Sequence, residues 1–230
     1  MPKKTRYIKP NDQNKSWFKK VTTKNPYRIE SIEPTKSFLI VCEGVNTEPA
    51  YFRSFPVVTV TVECKGAGAS RLSLVSYAFE LSKLAENKGK EVWCVFDFDY
   101  KKDVIGIAHE FNEAVEFAQK KGLNVAYSND SFELWFILHY QFLETKHSRF
   151  EYYTKLDELW DVRYERVGKT YEFCKTIYSR LEKDPNADVS KAIKNARRLF
   201  EEKADLPPSH QNPSTKVYEL VEKLLKYLKK

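Results

Sequence analysis

The run Ser37-Phe-Leu-Ile-Val-Cys42 holds five consecutive apolar residues and stops abruptly at Glu43-Gly44. A strand-length segment with no polar alternation has no wet face, so it belongs inside a parallel sheet covered on both sides. Three further strand-like runs follow: Val57 to Glu63, Val92 to Phe96 leading into Asp97-Phe98-Asp99, and Leu123 to Tyr127. Helical patterns separate them. Thr47 to Phe52 reads as a short helix, with Thr47 as N-cap and Pro49 in the first turn. After the Gly66-Ala-Gly68 break, Ser70 opens a helix with Leu74, Ala78, Leu81 and Ala85 on one face, closed by Gly89. Asp103 is placed to cap a third helix carrying Ile107, Phe111, Ala114 and Ala118, with Gly122 past its end. Phe132 to Tyr140 makes a fourth. Strands alternating with helices imply right-handed crossovers, hence an α/β body with a four-stranded, mainly parallel sheet and helices on both faces.

Beyond residue 145 the strand signals stop. Tyr152–Glu165, Tyr171–Glu182, Val189–Lys203 and Thr215–Leu228 read as helices. The last carries an apolar stripe, Val217, Leu220, Val221, Leu224, Leu225 and Leu228, wide enough to pack on the body or on a partner helix. The expected organisation is an arm over 1–36, an α/β domain over 37–145 and a helical C-terminal region over 146–230.

Charge is informative only once located. The net +7 of the chain coincides with residues 1–36, which hold 10 Lys/Arg against 3 Asp/Glu and leave the remainder balanced. The basicity belongs to the arm, where Lys3, Lys4, Arg6, Lys15, Lys19 and Lys20 interleave with Trp17 and Phe18. Such an arm can grip phosphates and stack bases, or simply solubilise the chain. The segment Lys191–Arg198 is a second source of cations. No apolar run approaches a membrane span, and no secretory h-region opens the sequence. Cys42, Cys64, Cys94 and Cys174 form no CxxC pair and read as free thiols of a cytoplasmic protein. His109, His139, His147 and His210 lack zinc-site spacing.

The acids fall in a pattern. In a parallel sheet ligands collect outside the carboxyl ends of the strands. Glu43 ends the first strand, Asp97 and Asp99 end the third, and Glu133 opens the helix after the fourth. Asp97 and Asp99, two residues apart, point the same way if the strand persists. Clustered carboxylates following apolar strands repel one another and lose hydration unless a cation compensates. Oxygen ligands without His or Cys favour Mg²⁺ or Mn²⁺, ions suited to phosphoryl chemistry. A haloacid-dehalogenase-type phosphatase would place its acid pair after the first strand. A receiver domain would have a single Asp after the third strand and a later Lys-bearing strand. No GxxxxGK[ST] occurs anywhere, which speaks against ATP hydrolysis by this chain.

A Glu after the first strand and Asp-x-Asp after the third resembles the TOPRIM domain of topoisomerases, primases and OLD-type nucleases. The resemblance is closer to the RloB-like branch, with the AbiL abortive-infection system similar. It rests on Ile-Val-Cys-Glu43-Gly-x-x-Thr47-Glu48-x-x-Tyr51-Phe52, Val-Phe-Asp97-x-Asp99, Ser128-Asn129-x-x-Phe132-Glu133-x-Trp135 with His139, and Asn212-Pro213-Ser214-Thr215-x-Val217. It implies a Mg²⁺- or Mn²⁺-dependent, phosphodiester-cleaving effector of phage defence, acting on DNA or on RNA, with tRNA among the candidate targets, beside an ABC-type ATPase. It further implies Glu43 as general acid/base or metal ligand, Asp97 and Asp99 as metal ligands, Glu133 as a further ligand or orienting acid, and Lys169 as a phosphate contact. One departure stands out: Asp130 occupies a place where relatives often carry Pro, and an added acid there would alter metal binding or repel a phosphate. Two other functions fit the same acids. One is a non-catalytic module that docks the ATPase and holds a structural ion. The other is a nucleotide-sugar transferase using Asp97-x-Asp99 on a metal–diphosphate, which leaves Glu43 without a role.

Overall fold

The computed structural model describes residues 36–57, 59–64, 70–100 and 105–228. Within them the chain runs β1 (Phe38–Cys42), α1 (Thr47–Arg53), β2 (Val60–Cys64), α2 (Arg71–Lys83), β3 (Glu91–Asp97), α3 (Ile107–Lys120), β4 (Asn124–Asn129) and α4 (Glu133–Ile137). It continues through α5 (Arg149–Trp160), α6 (Tyr164–Val167), α7 (Tyr171–Lys183), α8 (Val189–Glu201), β5 (Ser214–Thr215) and α9 (Val217–Leu225). Among the described residues no helix is long and apolar enough to cross a membrane.

The strands are ordered β2-β1-β3-β4-β5. The first four in chain order are parallel, with Cys42 opposite Cys64 and Val95, and Asp97 opposite Ser128. β5 is antiparallel to β4, setting Thr215 against Ser128 and Ser214 against Asn129. The α/β class holds, but the expected four-stranded sheet is a mixed, five-stranded one. β5 consists of two polar residues, too short to carry a periodic signal. It nonetheless covers the outer edge of β4, whose buried backbone groups need partners. The Ser128 and Thr215 hydroxyls stand 3.0 Å apart, and Lys216 N–H donates to the Tyr127 carbonyl at 2.8 Å.

Strand parity divides the interior into two cores. Phe38, Ile40 and Cys42 pack with Trp93, Val95 and Ala126 on one face, under Trp135, Leu156, Ile177, Leu199 and Val221 of the later helices. Leu39 and Val41 pack with Cys94, Phe96 and Tyr127 on the other, under α2 and α3. Every residue of β1 is fully buried, which is why its sequence shows no alternation. The α9 stripe, Val217, Leu220, Val221 and Leu224, lies in the larger core.

Element ends differ locally from the sequence expectation. Asn46, not Thr47, is the N-cap of α1. α2 stops at Lys83, and a short 3-10 turn intervenes before Gly89, which adopts φ 84°. α3 starts behind Gly106, and the anticipated cap Asp103 lies outside the described residues. The helix expected over Tyr152–Glu165 breaks into α5 and α6 at Asp161, where φ is 51°.

Candidate functional site

β1, β3 and the loop after β4 end on one sheet edge, where a cleft of about 830 Å³ opens. Glu43, Glu48, Asp97 and Asp99 line it together with Arg71, Arg149 and Lys169. Three of the four acids expected from the sequence are therefore brought together. The fourth, Glu133, lies fully buried behind Lys169.

Glu43 follows β1 in the parity of Leu39 and Val41, whereas Asp97 has the parity of Trp93 and Val95. The two acids thus leave the sheet toward opposite layers, and their electrostatic surroundings differ. Burial pushes the Glu43 carboxyl above its ordinary pKa. Arg71 and the Asp97 backbone oppose the rise, while Asp99 and Glu110 add to it. Asp97 is raised further, by burial first and then by Glu48, Glu133 and Glu43, against the opposing effect of Lys169. One oxygen of Asp97, Oδ2, accepts the Phe132 N–H at 3.0 Å; Oδ1 is buried without a hydrogen-bond partner among the described residues.

The expectation that Asp97 and Asp99 point alike required the strand to continue, and it does not. β3 ends at Asp97, and Asp99 adopts a left-handed φ of 48°, a conformation aspartate tolerates better than most residues. Arg71 holds this turn: its guanidinium donates to the carbonyls of Asp97 and Phe98, each at 2.7 Å, and pairs with Glu110 at 2.7 Å. Asp130 braces the other side. Its carboxylate accepts the N–H groups of Tyr100 at 2.8 Å and Arg149 at 3.3 Å, and its carbonyl accepts that of Asp99 at 3.0 Å. The acid at this departure from the family pattern is a clamp on the Asp99 turn and does not line the cleft. Its carboxyl titrates above the usual range because of burial, moderated by those same donors and Arg149.

Two of the acids carry cation partners. Arg149 pairs with Asp99 Oδ1 at 2.5 Å. Lys169 pairs with Glu133, which also accepts from Ser131 Oγ at 2.7 Å and Tyr164 OH at 3.1 Å. Burial would raise Glu133, but Lys169 and the Ser131 hydroxyl outweigh it and hold the carboxyl below its ordinary pKa. The same ion pair overcomes the burial of Lys169 and raises its pKa.

Sequence reasoning missed Glu48, Arg71 and Arg149. Glu48 sits in the first turn of α1, only 8% exposed, and its carboxylate lies against Gly44. A Cβ on Gly44 would stand 2.2 Å from Glu48 Oε2, so a side chain there would displace the Glu48 carboxylate from its present place. An acid two residues into a helix that starts from the strand-carboxyl edge was the available signal for Glu48. Arg71 and Arg149 have no such local signal. The basic residues of the arm lie outside the described residues. Within α8, Arg197 and Arg198 are paired with Glu222 and Glu202, and Lys191 donates to the Tyr140 carbonyl.

The donor chemistry fits a hard divalent cation. Glu43, Glu48 and Asp97 offer oxygen alone, have no ion-pair partner among the described residues, and include an orphaned carboxylate oxygen. The side chains are not drawn in around a point, however: among the described residues no three His, Cys, Asp or Glu side chains are spaced to hold a metal.

No curated protein matches the chain. Among solved structures it is similar to the C-terminal region of the Burkholderia pseudomallei OLD protein, at 10% identity and a TM-score of 0.36, over 83% of this chain and 98% of that one. A likeness that distant carries nothing about the site. The family described as RloB-like protein matches residues 38–224, which include every acid of the cleft, and the chain belongs to that family.

Proposed function

We propose that this chain is a TOPRIM-type, metal-dependent nuclease that cleaves nucleic-acid phosphodiesters as an effector of anti-phage abortive infection, working beside an ABC-type ATPase. The observation that carries this reading is the group Glu43, Glu48 and Asp97, three carboxylates without ion-pair partners among the described residues, on a cleft that also presents Arg71, Arg149 and Lys169. Left bare, such a group is costly; it is suited to meeting a cation and a phosphate together. Glu43, Asp97 and Asp99 would hold Mg²⁺ or Mn²⁺, and the bound ion would neutralise the phosphate and lower the pKa of an attacking water. Glu43 would hold or carry the proton of that water. Arg149 and Lys169 would face the phosphate, and Arg71 keeps the Asp97–Asp99 turn in place.

A second reading has its own support. Arg149 and Lys169 already neutralise Asp99 and Glu133, as in a non-catalytic partner module with a merely structural site. Cleavage of labelled plasmid, single-stranded DNA and bulk tRNA separates the two readings. Wild type and Glu43→Gln/Asp97→Asn are compared with Mg²⁺ or Mn²⁺, with and without an ABC-type ATPase encoded beside the protein. Cleavage abolished by EDTA and by the double substitution is the expected result. A folded wild type that cleaves nothing in either setting would leave the non-catalytic module.

A further inference from the structure

Arg149 also lines a second cavity, of about 510 Å³, whose walls include Phe98, Tyr100, Phe150, Asn129 and Asn212. None of these side chains serves the acidic cleft. Tyr100 and Phe150 are 59% and 61% exposed although both are large aromatics beside a concave site. Each is steadied from behind. Tyr100 lies 6.1 Å from Phe98 with the rings 34° apart, and Phe150 meets Tyr153 edge-on at 6.0 Å.

Most polar groups of this cavity are engaged or buried. Asn129 is fully buried and its amide nitrogen donates to the carbonyls of Pro208 at 3.0 Å and Ser209 at 3.1 Å, which fixes Oδ1 as an acceptor. Among the described residues that oxygen has no partner, and neither has Asn212 Oδ1; both are closed off from solvent in the cavity wall. The Asp130 carboxylate, by contrast, is occupied by the N–H groups of Tyr100 and Arg149. His147 and His210 are engaged with Thr145, Glu151 and Ser209. Arg149 is paired with Asp99, and cationic character remains at exposed Lys146. Two exposed aromatic faces and a cationic rim at Lys146 call for a flat ring that carries an anion; an aliphatic chain would offer no face to stack on them.

Resting on the nucleic-acid reading above, we propose that this cavity is a nucleobase subsite. One unpaired base of a single strand stacks on Tyr100 and Phe150, while its phosphate passes Lys146 toward the acidic cleft. A base-paired duplex cannot offer its ring face, so the substrate class is single-stranded or base-flipped nucleic acid.

The test is fluorescence anisotropy in EDTA with fluorescein-labelled eight-nucleotide DNA, eight-nucleotide RNA and an abasic strand of equal length. Wild type should bind a base-bearing strand about tenfold more tightly than the abasic one, and Tyr100→Ala/Phe150→Ala should erase that preference without changing abasic binding. Both side chains are exposed, and a thermal melt checks that the variant is folded. A stronger response to DNA or to RNA supports the subsite and names the sugar. Equal binding of base-bearing and abasic strands by wild type overturns it, and so does a preference that survives the double substitution. Without metal the result is independent of cleavage, so the nuclease reading stands or falls separately.

Discussion

Arg149, at the start of α5, reaches Asp99, two residues past β3, and closes a 2.5 Å ion pair across 50 positions of sequence. The pair occupies a carboxylate that a bound cation would need. Arg149→Met should therefore raise Mn²⁺ affinity about fivefold, the scale of a partly exposed ion pair worth roughly 1 kcal/mol. Free Mn²⁺ followed by electron paramagnetic resonance gives the value. Unchanged affinity would mean that Asp99 takes no part in holding the ion.

Asp97 has a titration raised by burial and by neighbouring carboxylates. A carboxyl raised in the folded state contributes stability that is fully present below its unfolded pKa and is lost as pH rises through the folded value. At neutral pH in EDTA the charge is a burden, so Asp97→Asn should melt higher than wild type. The gain is about 2–4 °C for each kcal/mol of repulsion removed in a domain of this size. Circular dichroism melts at pH 5 and pH 8 give the sign: the advantage of the variant should grow with pH.

His139 behaves oppositely. It is 2% exposed, and burial depresses its imidazole to about 4 despite hydrogen bonding to the Trp135 and Phe136 backbone. A His depressed in the folded state protonates first when unfolded, so its contribution is present above the unfolded pKa and falls away on acidification. From pH 7 to 4, wild type should lose roughly 3 kcal/mol relative to His139→Gln. Urea denaturation of both proteins across that range measures the difference.

Lys169→Met leaves Glu133 buried with no cation beside it. The expected cost is about 3–5 kcal/mol, and adding Glu133→Gln should restore most of it because the uncompensated charge is gone. A denaturant double-mutant cycle reads the coupling. Additive losses would show that the pair does not act as a unit.

Removing residues 1–34 takes away most of the excess positive charge of the chain. Affinity for a labelled oligonucleotide should fall, and the slope of log affinity against log salt should flatten by about 0.7 for each lost phosphate contact on a single strand. The same affinity and slope in the truncated protein would assign binding to the folded body.

Much of the architecture was legible locally. The all-apolar run of β1, the spacing of strands and helices, and the acids that end β1 and β3 follow from burial and periodicity, which act over a few residues. Ser70 is the N-cap of α2, as its position after the glycine break implied, its hydroxyl accepting the Ser73 N–H at 3.2 Å. What local sequence did not reveal was how those acids are partnered. β5 is a two-residue strand that exists because β4 needs an edge partner. The Glu48 carboxylate lies in the space that a side chain at Gly44 would take. Arg71, Arg149 and Lys169 come from three different helical connections and meet their carboxylates across 36 to 50 positions of sequence. Sequence alone determined that carboxylates gather at one edge of a buried parallel sheet. Tertiary structure alone decided which are neutralised and which stay bare, because ion pairing depends on distances set by how distant helices pack, and no short-range pattern records them.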